Sequence, residues 1–470
     1  MTTKASFTSR RNLLLMASAA IGTGMVPMLS RSDSDGHDNY DGENKYRTNS
    51  NTTYSLAQTG LTAKVVVVGG GMAGATVAKY LRLWGGSGVD VTLVEPNASY
   101  TSNIMSNLVL NGTRTVASLG YGYSDLTSKY GINLKQASVT LIDSTNKQVT
   151  LSDNSVLSYD RLVLAPGVEF MDAYGLIQSD YDTKTPHAWQ AGSQTDLLKT
   201  QLAAMPMNGT FVMTIPKAPY RCPPGPYERA CLVADYLKTY KGTASKVVVL
   251  DENLSIQAEA VNFSYAFNTI HAGVIDYRPG VTAISVNPDT KSVSYIDQLS
   301  APQSLASNLV SPIPPHRARG SASGGWLANA NLNNSTDGKW CVVDVLSYES
   351  TSKPNIHIIG DAASCGLPKA GHVANQEAKI CADAIVRLLG GQQVDSSPVA
   401  NSACFSPITA STASWLTAVY QYDPSLRKML PATNGGVTAG STATEASAIT
   451  NSNYRQMNTW FNTLMSDSYA

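Results

Sequence analysis

The chain has no surplus of charge of either sign: Lys and Arg total 34, Asp and Glu total 34, and only 14% of the 470 residues are charged. A nucleic-acid or anionic-membrane partner gathered by bulk charge is therefore not expected. Cysteine is sparse as well. The six residues Cys222, Cys231, Cys341, Cys365, Cys381 and Cys404 include no CxxC pair and no CxxCH haem-attachment site. These spacings encode no metal site and no covalent haem. Beyond the first 30 residues no segment reaches the roughly 18 uninterrupted apolar residues of a membrane-spanning helix.

What is present begins with SRRNLLLMASAAIGTGMVPML, from Ser9 to Leu29, where two arginines stand directly before an apolar stretch. This is the arrangement of a twin-arginine export signal, expected over residues 1–30, with a retained membrane anchor as the alternative. Gly22, Gly24 and Pro27 break the run and favour the signal. Residues 31–60 are rich in Asp, Asn, Ser and Thr and read as a polar linker that buries too little to order itself. Export to the periplasm makes disulfides possible. Cys231 and Cys381 nevertheless fall in helical patterns and Cys341 in the strand-like KWCVVDV, positions that suit small buried thiols.

The segment AKVVVVGGGMAGATVAKYLRLWGGSGVDVTLVEPN, Ala63 to Asn97, predicts a complete βαβ unit. Gly69, Gly71 and Gly74 form GxGxxG between a buried strand and a helix. Such glycines give the tight turn, the close approach of a pyrophosphate and the close packing of helix on strand. The free amides of the helix N-terminus then meet the phosphates. Glu95 ends the second strand, where a carboxylate accepts hydrogen bonds from the adenosine ribose.

Two further stretches favour FAD over NAD. YDRLVLAPGVEF, Tyr159 to Phe170, resembles the strand that leaves the FAD domain of two-dinucleotide-domain flavoproteins. In KPNIHIIGDAASCGLPKAGHVANQEAKICADAIVRLL a strand ends at Gly360 and Asp361, and a long amphipathic helix follows. In that resemblance Asp361 accepts a hydrogen bond from the flavin ribityl chain and the helix N-terminus faces the flavin. Lys369, in the intervening loop, is grouped with the cofactor-binding residues. A second βαβ unit is expected from TFVMTI, YERACLVADYLKTY and SKVVVLDEN, but its loop reads IPKAPYRCPPGPYER. Prolines lack the amide hydrogens a phosphate needs, and only Gly225 allows close approach, so no NAD(P) site is expected there.

Together PYRCPPGPYER, the twin-arginine signal, GGGMAG and IHIIGDAA resemble the flavoprotein subunit of flavocytochrome c sulfide dehydrogenase and, more distantly, sulfide:quinone oxidoreductase. The resemblance covers most of the chain after Lys64. It implies an α/β fold with two Rossmann-like, three-layer domains of the glutathione-reductase type and a C-terminal α+β domain. The expected FAD-binding domain spans 61–175 and 315–395, the second domain 176–314, and the C-terminal domain 396–470. It further implies a redox-active disulfide between Cys222 and Cys404 beside the flavin, with Glu228 as acid/base; Cys365 is the rival partner for Cys222. The helix after the loop is expected to lower the Cys222 thiol pKa. Asn103 stands where the family carries a cysteine bonded to the flavin, so FAD is expected to be non-covalent. His316, in PIPPHRARG, reads as a surface histidine or as a proton carrier.

The implied function is oxidation of sulfide, or a related sulfur nucleophile, in the periplasm. Hydrosulfide attacks the disulfide by thiol exchange, leaving Cys222 as the persulfide carrier. Electrons leave to a separate c-type cytochrome subunit, expected to be dihaem. The rivals are electron transfer to membrane quinone, for which the polar last 40 residues offer a poor apolar face, and a flavin-bearing partner of another redox protein with little turnover of its own.

Overall fold

The computed structural model describes residues 55–433, 436–437 and 443–470. The expected signal at 1–30, and the linker at 31–60 except for its end, lie outside the described residues. The chain first forms β1 (Ala63–Val68), α1 (Met72–Gly85), β2 (Val89–Val94), β3 (Asn133–Lys135) and β4 (Arg161–Leu164). β1 is a valine run in which every residue but Lys64 is buried. A strand of that kind belongs in the middle of a parallel sheet covered on both faces. It pairs in parallel with β2 from Ala63↔Val89 to Val68↔Val94, and with β4 on its other side.

The chain then leaves this sheet for β5 (Thr210–Ile215), α2 (Gly225–Tyr240), β6 (Lys246–Asp251), β7 (Ile275–Pro279) and β8 (Leu309–Pro312). These strands form a second, wholly parallel sheet in the order β7-β6-β5-β8. It returns as β9 (Cys341–Asp344), β10 (Glu349–Ser350), β11 (Ile356–Ile358) and β12 (Ala363–Ser364), followed by α3 (Gly371–Leu389). The first sheet thereby grows to eight strands, β12-β9-β10-β11-β4-β1-β2-β3, with antiparallel pairs only around β10. The fold is the expected α/β type with two Rossmann-like units.

The last part of the chain is a separate antiparallel sheet containing β13 (Val399–Pro407) and β14 (Ala413–Asp423), followed by α4 (Asn451–Tyr469). Thr450 caps α4 by accepting from Asn453 N at 3.0 Å. Met457, Phe461, Leu464 and Met465 recur at helical spacing and are all buried. That stripe packs both on the sheet that precedes it and on the first unit. Lys79 of α1 donates to Ala470 O at 2.6 Å, and Lys379 of α3 pairs with Asp467 at 2.8 Å. Among the described residues no helix is long and apolar enough to cross a membrane.

Candidate active site

The C-terminal ends of β1, β2 and β11 and the loop that follows β5 meet at one cavity of about 960 Å3. Its first wall is the fingerprint turn. Gly69 sits at φ +100°, and a Cβ at Gly74 would overlap the Gly69 carbonyl oxygen, so the helix reaches the strand only because both are glycine. Gly71 is different: it is extended, its added Cβ would meet nothing nearer than Tyr100 at 3.8 Å, and it lines the cavity. Glu95 accepts from Gly70 N at 2.7 Å and from Asn97 N at 2.9 Å, which fixes the carboxylate at the rim.

The second wall is Gly360 and Asp361, in the turn after β11. Burial pushes the Asp361 carboxyl up, and the charges of Arg221 and Lys369 oppose this. Gly360 N donates to Glu377 of α3 at 2.6 Å, tying the turn to the helix. Lys369 faces away from the large cavity. It donates to Asp361 O at 2.7 Å and Ala363 O at 2.9 Å and lies over the Trp340 ring, so it braces the turn. Glycine cradle, ribose-side carboxylate and a carboxyl opposite them fit an FAD.

The third wall is the proline loop. Cys222 adopts φ +59°, a left-handed conformation that costs a β-carbon residue about 1 kcal/mol or more. Two backbone bonds hold it there: Cys222 N donates to Lys369 O at 2.7 Å, and Gly225 N donates to Cys222 O at 2.9 Å. α2 begins at Gly225, two residues before the expected helix segment, and the glycine serves the thiol: a Cβ there would meet Cys222 Sγ at 2.8 Å and Trp189 at 2.9 Å. Nor is the ribose-type acid of this second unit free. Asp251, closing β6, accepts from Tyr227 OH at 2.8 Å and Tyr277 OH at 2.9 Å.

The fourth wall is β13, which brings Cys404 and Phe405. Ala403 N donates to Nδ1 of His372, at the start of α3, at 2.9 Å, so the strand is pinned to the FAD side of the molecule. Cys222, Glu228 and Cys404 thus line one cavity, while Cys365 lines a separate small niche and donates to Glu377 Oε1 at 3.1 Å. All six cysteines stand as free thiols, so the expected Cys222–Cys404 disulfide is not formed in this structure, although the charge of Cys222 bears on the Cys404 thiol.

Two expectations need correction. The helix terminus does not lower the Cys222 thiol: burial first, and then the Glu228 charge, push it up to about 12. Burial likewise holds the Cys404 thiol well above its ordinary range. His316 is not on the surface but 3% exposed, with Nδ1 against Pro314 O at 2.7 Å and burial lowering its pKa to about 3.

Glu228 is pushed up to about 8 by burial, against the pull of an Asn107 hydrogen bond and the Arg229 charge. Asn107 is the hinge of this cluster. Its Nδ2 donates to Glu228 Oε1 at 2.9 Å, and its Oδ1 accepts from Arg229 Nε at 3.0 Å. Arg229 is 1% exposed, donates to the His187 and Ala188 carbonyls and stacks over Trp189. Neither residue was singled out from the sequence, although a charge next to Glu228 among apolar helix positions marked Arg229. Asn103, in the same segment as Asn107, lines the cavity and accepts from Ala191 N at 2.8 Å.

Fold and site define an FAD-binding flavoprotein of the disulfide-reductase type. The model of the pyridine nucleotide-disulphide oxidoreductase family matches residues 63–196, and that of the central part of the sulfide dehydrogenase [flavocytochrome c] flavoprotein chain matches residues 195–311. The sulfide dehydrogenase [flavocytochrome c] flavoprotein chain of Chlorobaculum thiosulfatiphilum is 52% identical over 48 residues, 10% of this chain and 98% of that relative. The chain belongs to the family of the flavocytochrome c sulfide dehydrogenase flavoprotein chain. A probable ferredoxin reductase of Castellaniella defragrans is 37% identical over 106 residues, 22% of this chain and 26% of the relative; the chain matches about a quarter of the length of this and the other first relatives. The sulfide:quinone oxidoreductase of Aquifex aeolicus shares the fold, with TM-score 0.69, 16% identity and coverage of 86% of this chain and 92% of that one.

Proposed function

We propose that the protein is the periplasmic, FAD-dependent flavoprotein subunit of a sulfide dehydrogenase, oxidising sulfide to sulfur or polysulfide through a Cys222–Cys404 disulfide. The observation that carries this reading is the meeting of Cys222, Cys404 and Glu228, from three elements, in one cavity with the fingerprint glycines and Asp361. A thiol pushed up to about 12 is a poor resting nucleophile, which suits a pair that rests oxidised and is attacked.

Hydrosulfide attacks Cys222 Sγ, the bond to Cys404 breaks, and a new S–S bond leaves Cys222 as a persulfide. Cys404 departs as a thiolate and takes the proton held by Glu228. A second hydrosulfide attacks the outer sulfur of the neutral persulfide, the bond to Cys222 Sγ breaks to leave Cys222 as a thiolate, and the outer sulfur departs as hydrogen disulfide, whose proton the Glu228 carboxylate accepts. Bound FAD, held non-covalently with Asn103 in place of the linking cysteine, supplies the two-electron acceptor for re-forming the disulfide. A c-type cytochrome subunit is the acceptor of those electrons, the partner that likeness to the flavocytochrome c flavoprotein chain supports. Burial of the Met457, Phe461 and Leu464 face of α4 supports a soluble acceptor over membrane quinone.

Anaerobic sulfide should bleach the flavin band of the purified protein, and added cytochrome c, not a quinone analogue, should restore it. Bleaching that persists at full rate in Cys222→Ser would sink the disulfide chemistry. Flavin carried down with acid-precipitated protein would refute non-covalent binding.

A further inference from the structure

Arg221, the neighbour of Cys222 in the proline loop, has no part in the chemistry above. Only two arginines and no lysine line the cavity among the described residues. Arg319 is engaged, donating to Val168 O at 3.2 Å. Arg221 is not. Its backbone oxygen accepts from Trp189 Nε1 at 3.1 Å, which fixes the main chain, but its half-buried guanidinium has no hydrogen bond or ion pair among the described residues. Its charge reaches the Cys222 thiol and the Asp361 carboxyl. The buried Arg229 nearby, by contrast, spends its donors on two carbonyls, Asn107 and Ser311.

An unpaired guanidinium beside the sulfur that receives attack is suited to an anionic ligand, because it offers several donors and cannot shed its charge. The pyrophosphate end of the cofactor has its own donors at the α1 N-terminus, on a different wall. Resting on the sulfide-oxidising reading, we propose that Arg221 is the anion-recognising residue of the active site: it captures hydrosulfide beside Cys222 and selects anionic sulfur species over neutral thiols. Hydrosulfide brings the negative charge that neutral thiols lack. The growing polysulfide, also anionic, keeps its outer end at the same place.

The test separates binding from turnover by using the FAD-loaded full chain with both cysteines silenced, Cys222→Ser with Cys404→Ser. Sodium sulfide in mildly alkaline buffer should change tryptophan emission saturably, through Trp189. Adding Arg221→Met should weaken that binding by about tenfold to a hundredfold, the size of a charge-assisted hydrogen bond, and Arg221→Lys should recover part of it. The FAD dissociation constant should stay the same in all three.

No saturable signal, or equal binding by the Met variant, would overturn the proposal. A loss of FAD affinity matching the loss of sulfide binding would overturn it too, making Arg221 a cofactor contact. Persistent bleaching in Cys222→Ser alone would instead remove the disulfide reading while leaving the anion site standing.

Discussion

Glu228 is the residue at which burial and chemistry pull hardest against each other. Folding lifts its carboxyl from 4.5 to about 8, because a buried carboxylate is costly and Arg229 gives its donors elsewhere. Between those two values the folded protein holds a proton that the unfolded chain has lost, so stability falls as pH rises through this window. Glu228→Gln removes the penalty. The variant should melt with the wild type in acid and above it in alkaline buffer, the difference in stability approaching about 5 kcal/mol at the limit. Its sulfide-dependent bleaching should slow by about a hundredfold or more. A melting difference that ignores pH would mean that Glu228 is not the titrating group. The sequence string PYRCPPGPYER made Cys222 and Glu228 legible, but Asn107 was hidden because it reaches Glu228 across 121 positions. The Cys222 thiol was misjudged for a question of magnitude: a helix terminus contributes about a kcal/mol or two, which the desolvation of a half-buried thiol beside the Glu228 charge outweighs.

At the scale of elements, the first βαβ unit was readable because strand period, glycine spacing and helix period are all local. Its three glycines nevertheless do different things. Gly74→Ala forces a Cβ into the Gly69 carbonyl and should destabilise the apoprotein outright, lowering its melting temperature. Gly71→Ala fits the apoprotein but projects a methyl into the cavity. It should keep the apoprotein melting temperature and weaken FAD binding by roughly tenfold or more, read by flavin fluorescence titration. Equal effects at the two positions would show that the turn is held by packing alone. The second unit was legible in its strands, β5 and β6, and in the proline-blocked loop, but the reason for its remaining glycine was not. Gly225 makes room for Cys222 and Trp189, a contact between residues with no common period.

Across the whole molecule the α/β class followed from the alternation of strands and helices, while the path of α4 did not. Its buried stripe was consistent with any partner, and only tertiary structure shows that it packs on its own sheet and also reaches α1 and α3. There it joins the two halves of the site. Tyr469 OH donates to Gly70 O at 3.0 Å, inside the fingerprint turn, and Trp460 packs against Phe405, the neighbour of Cys404. Phe461, fully buried and 5.0 Å from the Arg114 guanidinium, anchors the helix between these contacts. Phe461→Ala should cost about 3–5 kcal/mol and release FAD at the same time. Tyr469→Phe removes one hydrogen bond to an oxygen that Tyr123 OH still serves, so it should cost about 1 kcal/mol with little change in cofactor binding. Melting curves and FAD titrations of both variants check the pair. If Phe461→Ala lowers the melting temperature while FAD affinity stays at the wild-type value, α4 supplies stability only, and the fingerprint turn holds its shape without the helix above it.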